Sequence, residues 1–159
     1  MTDSNRVLAL WNRMSGYPGG KWLFSKAVAN RAPYFSTIAP LIEELRPNYA
    51  KVSLKKKRAL ENHIGTVHVI AICNLLELAM GACAEASVPK NLRWIPKGMT
   101  LDYTAKAGSD ITGTAEINPG DWKPGDLDVK VTAFDSNGVV VVRGTIRLWI
   151  SEKPAGKIG

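Results

Sequence analysis

The sequence predicts an α+β fold in which an antiparallel sheet wraps around one long helix. Residues 67–86 are almost continuously apolar, alternating apolar and polar segments lie on both sides of them, and tight-turn signals separate the later segments. A helix that is apolar nearly all round belongs in the core of a soluble protein. Consecutive antiparallel strands joined by short turns then favour one sheet packed on that helix.

The length and composition of the chain fit a single domain. Its 159 residues, of which 45% are hydrophobic, are enough for one core. We expect a helical extension at 1–32, the core of sheet and long helix at 33–150, and a tail at 151–159. The sequence contains no repeat and no low-complexity segment.

Two short helices are predicted ahead of the sheet. Residues 3–15 place their apolar side chains on one helical face, namely Val7, Leu8, Leu10, Trp11 and Met14. The stretch Ser-Gly-Tyr-Pro-Gly-Gly at 15–20 ends this helix. We expect the second short helix at 21–30.

Extended structure is predicted on both sides of the long helix. Within the extended segment 37–57, apolar Ala50, Val52 and Leu54 alternate with polar neighbours, and this period of two indicates a half-buried strand. Asn137-Gly138 is a strong hairpin signal between the last two strands. Four strands are predicted after the helix, at 99–105, 110–118, 127–134 and 139–150.

The net charge is +7, and four basic residues are consecutive at 55–58. Such a chain favours an anionic partner such as a phosphorylated small molecule, although a solvated strand end that aids solubility explains the cluster equally well. No nucleic-acid-binding signature is present, so we expect no nucleic-acid partner.

Cysteine usage and the first residues indicate a cytoplasmic protein. Cys73 and Cys83 would lie ~15 Å apart on one helix, which is too far for a disulfide, and unpaired cysteines fit a reducing compartment. The first residues lack the apolar run and cleavage site of a signal peptide. The histidines and cysteines lack metal-ligand spacing, so we expect no metal and no cofactor.

The long helix is long enough to cross a membrane, but its composition argues against it. Ionisable groups are costly at membrane depth, and we therefore expect no membrane segment. Four polar residues lie within the helix: His68, Asn74, Glu77 and Glu85.

One side of this helix carries Asn74, Glu77, Gly81 and Glu85, which are spaced three, four and four residues apart. This stripe is either the solvent face or the wall of a cleft. An ionised Glu77 that is buried without a partner would be very unfavourable. A carboxylate that meets water in a cleft would suit a general base.

The spacing of His68 and Glu77 suggests a site shared by two subunits. Nine residues of helix separate them by ~13.5 Å, so they cannot touch within one chain. Two such helices packed antiparallel about a two-fold axis would bring Glu77 of one copy near His68 of the other. The N–H groups at the helix start could polarise a carbonyl group.

The loop before the helix supplies small and polar groups. Gly65 permits a tight entry into the helix. Asn62 and Thr66 are either part of a site or caps of the helix, and His68 is either a site residue or a partly buried structural histidine.

Together these residues form the arrangement Asn62-x-x-Gly65-Thr66-x-His68, with Glu77 nine residues after the histidine. This arrangement resembles the hotdog-fold thioesterases of the phenylacetate-pathway (PaaI-like) and human acyl-CoA thioesterase types. The wider segments 62–81 and 93–103 are similar to the DUF4442 group of that superfamily, and the resemblance spans about residues 35–150.

The resemblance implies a hotdog fold and hydrolysis of an acyl-CoA or acyl-carrier thioester in a homodimer or a dimer of dimers. Glu77 would be the general base, or alternatively the nucleophile that attacks the thioester carbonyl, with Asn62 and His68 of the neighbouring subunit positioning the thioester or the water. The Val69 N–H would hold the oxyanion, and Gly65 would shape the loop beside it. Coenzyme A would be part of the substrate, with its phosphates held by the basic side chains, for which the candidates are Lys97 and Lys106.

Two departures leave alternatives open. The family has two glycines after the histidine, where this chain has Val69 and Ile70, and their side chains would crowd the carbonyl group. That departure favours a non-catalytic acyl-CoA binding protein. His63 lies fourteen residues before Glu77, as in hotdog hydroxyacyl dehydratases, but the loop lacks the prolines of their motif.

Overall fold

The structure is a computed structural model that describes residues 5–154. Two helices, α1 (Arg6–Met14) and α2 (Gly20–Arg31), precede the sheet, and a 3₁₀ helix (Pro33–Ile38) follows them. The long helix α3 (Val69–Glu85) lies between the second and third strands. The strands are β1 (Leu41–Arg46), β2 (Tyr49–Leu54), β3 (Leu92–Tyr103), β4 (Ile111–Glu116), β5 (Gly125–Phe134) and β6 (Val140–Glu152).

The six strands form one antiparallel sheet in the order β1-β2-β4-β5-β6-β3. Helix α3 crosses the inner face of this sheet and packs mainly on β2, β4 and β5. Its buried leucines and alanines meet the inward side chains of those strands and form the core. The predicted α+β class, a sheet wrapped around one long helix, is confirmed.

Gly113 shows how closely α3 approaches the sheet. A Cβ atom at this position would lie 3.0 Å from Leu76 Cδ2. The small residue on β4 therefore lets the helix sit directly on the strand.

The N-terminal helices cover the β1 edge of the sheet, where α2 packs on β1. Trp11 of α1 and Phe24 of α2 pack edge to face, with ring centroids 5.2 Å apart. Both predicted helices are present with slightly different ends, and residues 3 and 4 of the first prediction lie outside the described residues.

Two predicted boundaries are wrong. The segment expected to be extended from residue 37 is still in the 3₁₀ helix Pro33–Ile38, which has a proline at its start. The third strand begins at Leu92 rather than at Met99. A β-bulge between Pro96 and Gly98 shifts the alternation of side chains by one residue. The first half of the strand is therefore out of phase with the second half, and a search for uninterrupted alternation does not detect it.

The predicted hairpin turn before β6 is confirmed. The Asp135 N–H donates to the Val139 carbonyl over 2.9 Å, and Gly138 has a φ of +77°. Cys73 and Cys83 are both free, as predicted. None of the helices in the described part of the chain has the length and hydropathy needed to cross a membrane.

Candidate functional site

The start of α3 presents one unused backbone donor. His68 is the N-cap, and its Nδ1 accepts from the Ile70 N–H over 3.1 Å. The N–H groups of Ala71 and Ile72 both donate to the His68 carbonyl. Within residues 5–154, the Val69 N–H has no acceptor. It lies at the positive end of the helix dipole, where a developing negative charge is stabilised.

The capping bond also fixes the tautomer of His68. Because Nδ1 accepts a hydrogen bond, the neutral imidazole carries its proton on Nε2. The His68 side chain is exposed, so Nε2–H can donate to a ligand. The interpretation of Asn62 or Thr66 as the helix cap is wrong, because His68 itself is the cap.

The loop before α3 is held together by Asn62. Its Oδ1 accepts from the N–H groups of Ile64 and Thr66, both over 3.1 Å, and its Nδ2 donates to Thr66 Oγ1 over 2.8 Å. Gly65 has a φ of +77°, a conformation that favours glycine. One hydrogen of the Asn62 Nδ2 remains for a ligand.

A cavity of about 320 Å³ opens at this helix start. It brings together Asn62, His68, Val69 and Lys106 of the predicted site, and Gly65 lies in the loop beside it. Its other polar side chains come from the loop and from the end of β3, and its apolar wall comes from α3 and β6. These further lining residues include His63, Thr66, Ile72, Tyr103, Val141 and Val142.

Glu77 lies elsewhere within one chain. It sits in the middle of α3, partly exposed, and it forms no hydrogen bond or ion pair with residues 5–154. Nine residues of helix place it ~13.5 Å from His68, and it does not line the cavity. A carboxylate with no partner on an apolar helix is free to act on a ligand or on water.

Lys106 and Lys97 occupy different surfaces. Lys106 is exposed at the cavity and forms no ion pair with the rest of the described chain. Lys97 lies in the β3 bulge, pairs with Asp126 over 2.8 Å, and places its ammonium 5.1 Å from the Trp149 ring centroid.

Cys73 lies one turn before Glu77 on α3, but it does not have the character of a nucleophile. Burial raises the pKa of its thiol, so the reactive thiolate is scarce at neutral pH. No group of three His, Cys, Asp or Glu side chains within residues 5–154 could hold a metal ion.

The inner face of β3 exposes two large side chains, and one of them, Tyr103, lines the cavity, a position that the sequence analysis did not assign to the site. Among the described strands, β3 pairs only with β6 and lies at the edge of the sheet. Met99 and Tyr103 face the same side as the core residues Ile146 and Val142 with which they pair, but α3 does not cover them. They are 39% and 63% exposed. Both residues lie within the strand predicted at 99–105, but the sequence does not show that α3 leaves them uncovered.

The fold defines a class. One antiparallel sheet wrapped around a long central helix is the hotdog architecture. A crystal structure from structural genomics is 41% identical over 92% of this chain and 98% of its own, with a TM-score of 0.79.

Two further solved structures have the same fold at lower identity. A probable thioesterase of unknown function from Pseudomonas aeruginosa is 21% identical over 86% of this chain and 97% of its own, with a TM-score of 0.73. A thioesterase family protein from Silicibacter pomeroyi is 18% identical over 81% of this chain and 96% of its own, with a TM-score of 0.70.

The family model for DUF4442, a domain of unknown function, matches residues 20–150. The chain belongs to the DUF4442 family and has the hotdog fold, as the sequence predicted. A search of curated proteins found no match to the chain.

Proposed function

We propose that the chain hydrolyses the thioester of an acyl-CoA in a site shared by two copies. The observation that carries this proposal is the free Val69 N–H at the start of α3, next to a cavity that also exposes His68. A preorganised backbone donor at a helix N-terminus suits the oxyanion of acyl transfer. The similar structures that are named as thioesterases support the same reaction class.

The proposed reaction assigns one role to each group. The thioester carbonyl oxygen accepts from the Val69 N–H, and His68 Nε2–H and Asn62 position the thioester or the water. Glu77 of the other copy removes a proton from the water as the water oxygen attacks the carbonyl carbon. The tetrahedral oxyanion collapses, the carbon–sulfur bond breaks, and the thiolate of coenzyme A leaves and takes up a proton.

Two features of β3 support the proposal that a second copy of the chain completes the site. The strand is twelve residues long, and one of its edges pairs with no strand in residues 5–154. Such an edge is a template for pairing with another strand. Its inner face exposes Met99 and Tyr103, which a partner's α3 would cover. A dimer across this edge would place two α3 helices side by side, as the separation of His68 and Glu77 requires.

We assign the phosphate contact to Lys106. It stands at the mouth of the cavity without an ion pair among the described residues, whereas Lys97 is already paired with Asp126. A single lysine binds phosphate as a point charge, so this contact should weaken as salt rises.

A hydrolysis screen tests the proposal. Purified protein is incubated with acyl-CoAs from acetyl to palmitoyl, and released thiol is measured. We expect thiol release by the wild type and a ~10²–10⁴-fold lower rate for Glu77→Gln, which keeps the shape but removes the base. Stabilisation by acyl-CoA without thiol release would instead identify a non-catalytic binder.

The dehydratase alternative has one observation in its favour, because His63 also lines the cavity. His63→Ala separates the two reactions. We expect this variant to keep thioester hydrolysis. The dehydratase would be established by two results together. The wild type would hydrate crotonyl-CoA without releasing thiol from any acyl-CoA, and His63→Ala would abolish that hydration.

A further inference from the structure

A second cavity lies beside the first, between the 3₁₀ helix Pro33–Ile38 and the start of α3. Its volume is about 320 Å³, and His68 forms a wall of both cavities. Polar and apolar side chains contribute to its lining, among them Tyr34, Thr37, Leu60, Ile70 and Asn74.

Asn74 contributes a polar group that the fold leaves unsatisfied. The residue is only 5% exposed. Its Nδ2 lies 3.4 Å from both the Tyr34 carbonyl and Thr37 Oγ1, while its Oδ1 is buried without a partner in the described part of the chain. A buried acceptor that lacks a donor is unfavourable, so each one calls for an explanation.

The neighbours of Asn74 fix the orientation of its amide. The Thr37 hydroxyl donates to the Tyr34 carbonyl over 2.7 Å, so both atoms that face the amide are acceptors. The amino group must therefore point towards them, and Oδ1 must point away. A donor for Oδ1 has to come from outside this cluster.

The position of Asn74 relates the second cavity to the proposed chemistry. Asn74 and Glu77 are three residues apart on α3, so they share one side of the helix with Cβ atoms about 5–6 Å apart. Ile70, 52% exposed, lies on the same side one turn earlier. Glu77 does not itself line the second cavity, but it follows Asn74 by about one helical turn.

We propose that the second cavity is an acyl subsite that selects an acyl group carrying a hydroxyl near the thioester. The hydroxyl donates to Asn74 Oδ1, and the one-turn spacing to Glu77 places it roughly two or three carbons from the carbonyl carbon. The aliphatic part of the acyl group rests on Ile70. This inference rests on the proposed function, because that function places the thioester next to Glu77.

A matched pair of substrates tests the subsite. 3-Hydroxybutyryl-CoA and 3-methylbutyryl-CoA have nearly the same shape, but one has a hydroxyl where the other has a methyl group. We expect the wild type to prefer the hydroxylated thioester by roughly 10- to 100-fold in kcat/KM, because the methyl group would leave the buried acceptor unpaired. Asn74→Leu, which is similar in size and apolar, should abolish or reverse this preference.

Asn30→Leu is the control variant. It makes the same substitution at an exposed position of α2 that lines neither cavity, so it should keep the preference. Thermal melting of both variants establishes that they fold. An unchanged preference in a folded Asn74→Leu would overturn the proposal.

A binding experiment separates this proposal from the proposed function. Analogues of the two thioesters with a CH₂ group in place of the sulfur cannot be hydrolysed, and calorimetry gives their affinities. If the wild type releases no thiol but binds the hydroxylated analogue more tightly, and Asn74→Leu removes that difference, the subsite stands without hydrolysis. Equal hydrolysis of both thioesters by the wild type would overturn the subsite and leave the proposed function intact.

Discussion

Val69→Pro removes the proposed oxyanion donor with little other disturbance. Val69 is the first residue of α3, and proline is tolerated there because its missing N–H has no intrahelical acceptor. In this chain that N–H is unused among the described residues, so no hydrogen bond is lost. The preceding residue, His68, has ψ of 131°, which lies in the range that a residue before proline prefers.

The expected effects on stability and activity therefore differ strongly. Proline at a compatible position changes the free energy of unfolding by about 1 kcal/mol or less. Loss of one oxyanion donor lowers kcat by ~10²–10³-fold, or roughly 2.7–4 kcal/mol in the activation free energy. The assay is thiol release from the best acyl-CoA of the screen, together with urea unfolding of the same preparation.

Val69→Ala is the matched control, because it also removes the valine side chain but keeps the N–H. It should hydrolyse at close to the wild-type rate. A folded Val69→Pro that hydrolyses as fast as Val69→Ala would refute the reasoning and show that the oxyanion is held elsewhere.

Three further predictions concern shape, thiol reactivity and pH. Val69→Gly should raise the turnover of branched acyl-CoAs relative to straight ones, at a cost of roughly 0.5–1 kcal/mol in stability; an unchanged ratio would show that the side chain does not crowd the carbonyl. Cys83 should resist alkylation in the native protein at pH 8, since burial raises the pKa of its thiol to about 12; rapid native labelling, located by mass spectrometry, would contradict this. The Lys55 ammonium and the Lys56 N–H lower the pKa of Asp110 in the folded protein. The ionised Asp110 carboxylate therefore stabilises the fold above the pKa that Asp110 has in the unfolded chain, and this stabilisation is lost as pH falls through the lower pKa of the folded protein. Wild type and Asp110→Asn should therefore differ in urea midpoint at pH 7. The difference should begin to shrink as pH falls to about 4 and vanish below the folded pKa of Asp110, whereas a difference that is independent of pH would exclude this origin.

The sequence predicted those helices and strands whose apolar residues recur at a regular spacing. Residues 67–86 differ from α3 by only a few residues, because an apolar helix needs no information from distant parts of the chain. β3 was placed seven residues late, since the bulge between Pro96 and Gly98 breaks the alternation on which strand prediction depends. Met99 and Tyr103 lie within the predicted part of that strand, but their exposure depends on how α3 packs across the sheet, which the alternation alone does not give.

The residues of the site that lie close together in the sequence were also predictable. Asn62, His68 and Val69 are close in the sequence, and they meet at one cavity. The sequence did not show which of them holds the loop and which caps the helix. In the structure, Asn62 holds the loop and His68 caps the helix. The environment of Asn74 could not be predicted, because Tyr34 is forty residues away and only the packing of the 3₁₀ helix on α3 brings the two together.

The central claim is that thioester hydrolysis occurs in a site built from two copies, and a complementation assay tests it most directly. Glu77→Gln and His68→Asn each remove one proposed group, and asparagine keeps a helix cap in place of His68. Thiol release is measured for the wild type, for each variant alone, and for the two variants co-expressed.

Random pairing makes half of the dimers mixed, and each mixed dimer has one intact site of two. We therefore expect about a quarter of the wild-type rate from the co-expressed variants and almost none from either variant alone. Co-expressed variants that remain as inactive as each variant alone, or a wild type that releases no thiol from any acyl-CoA, would contradict the account.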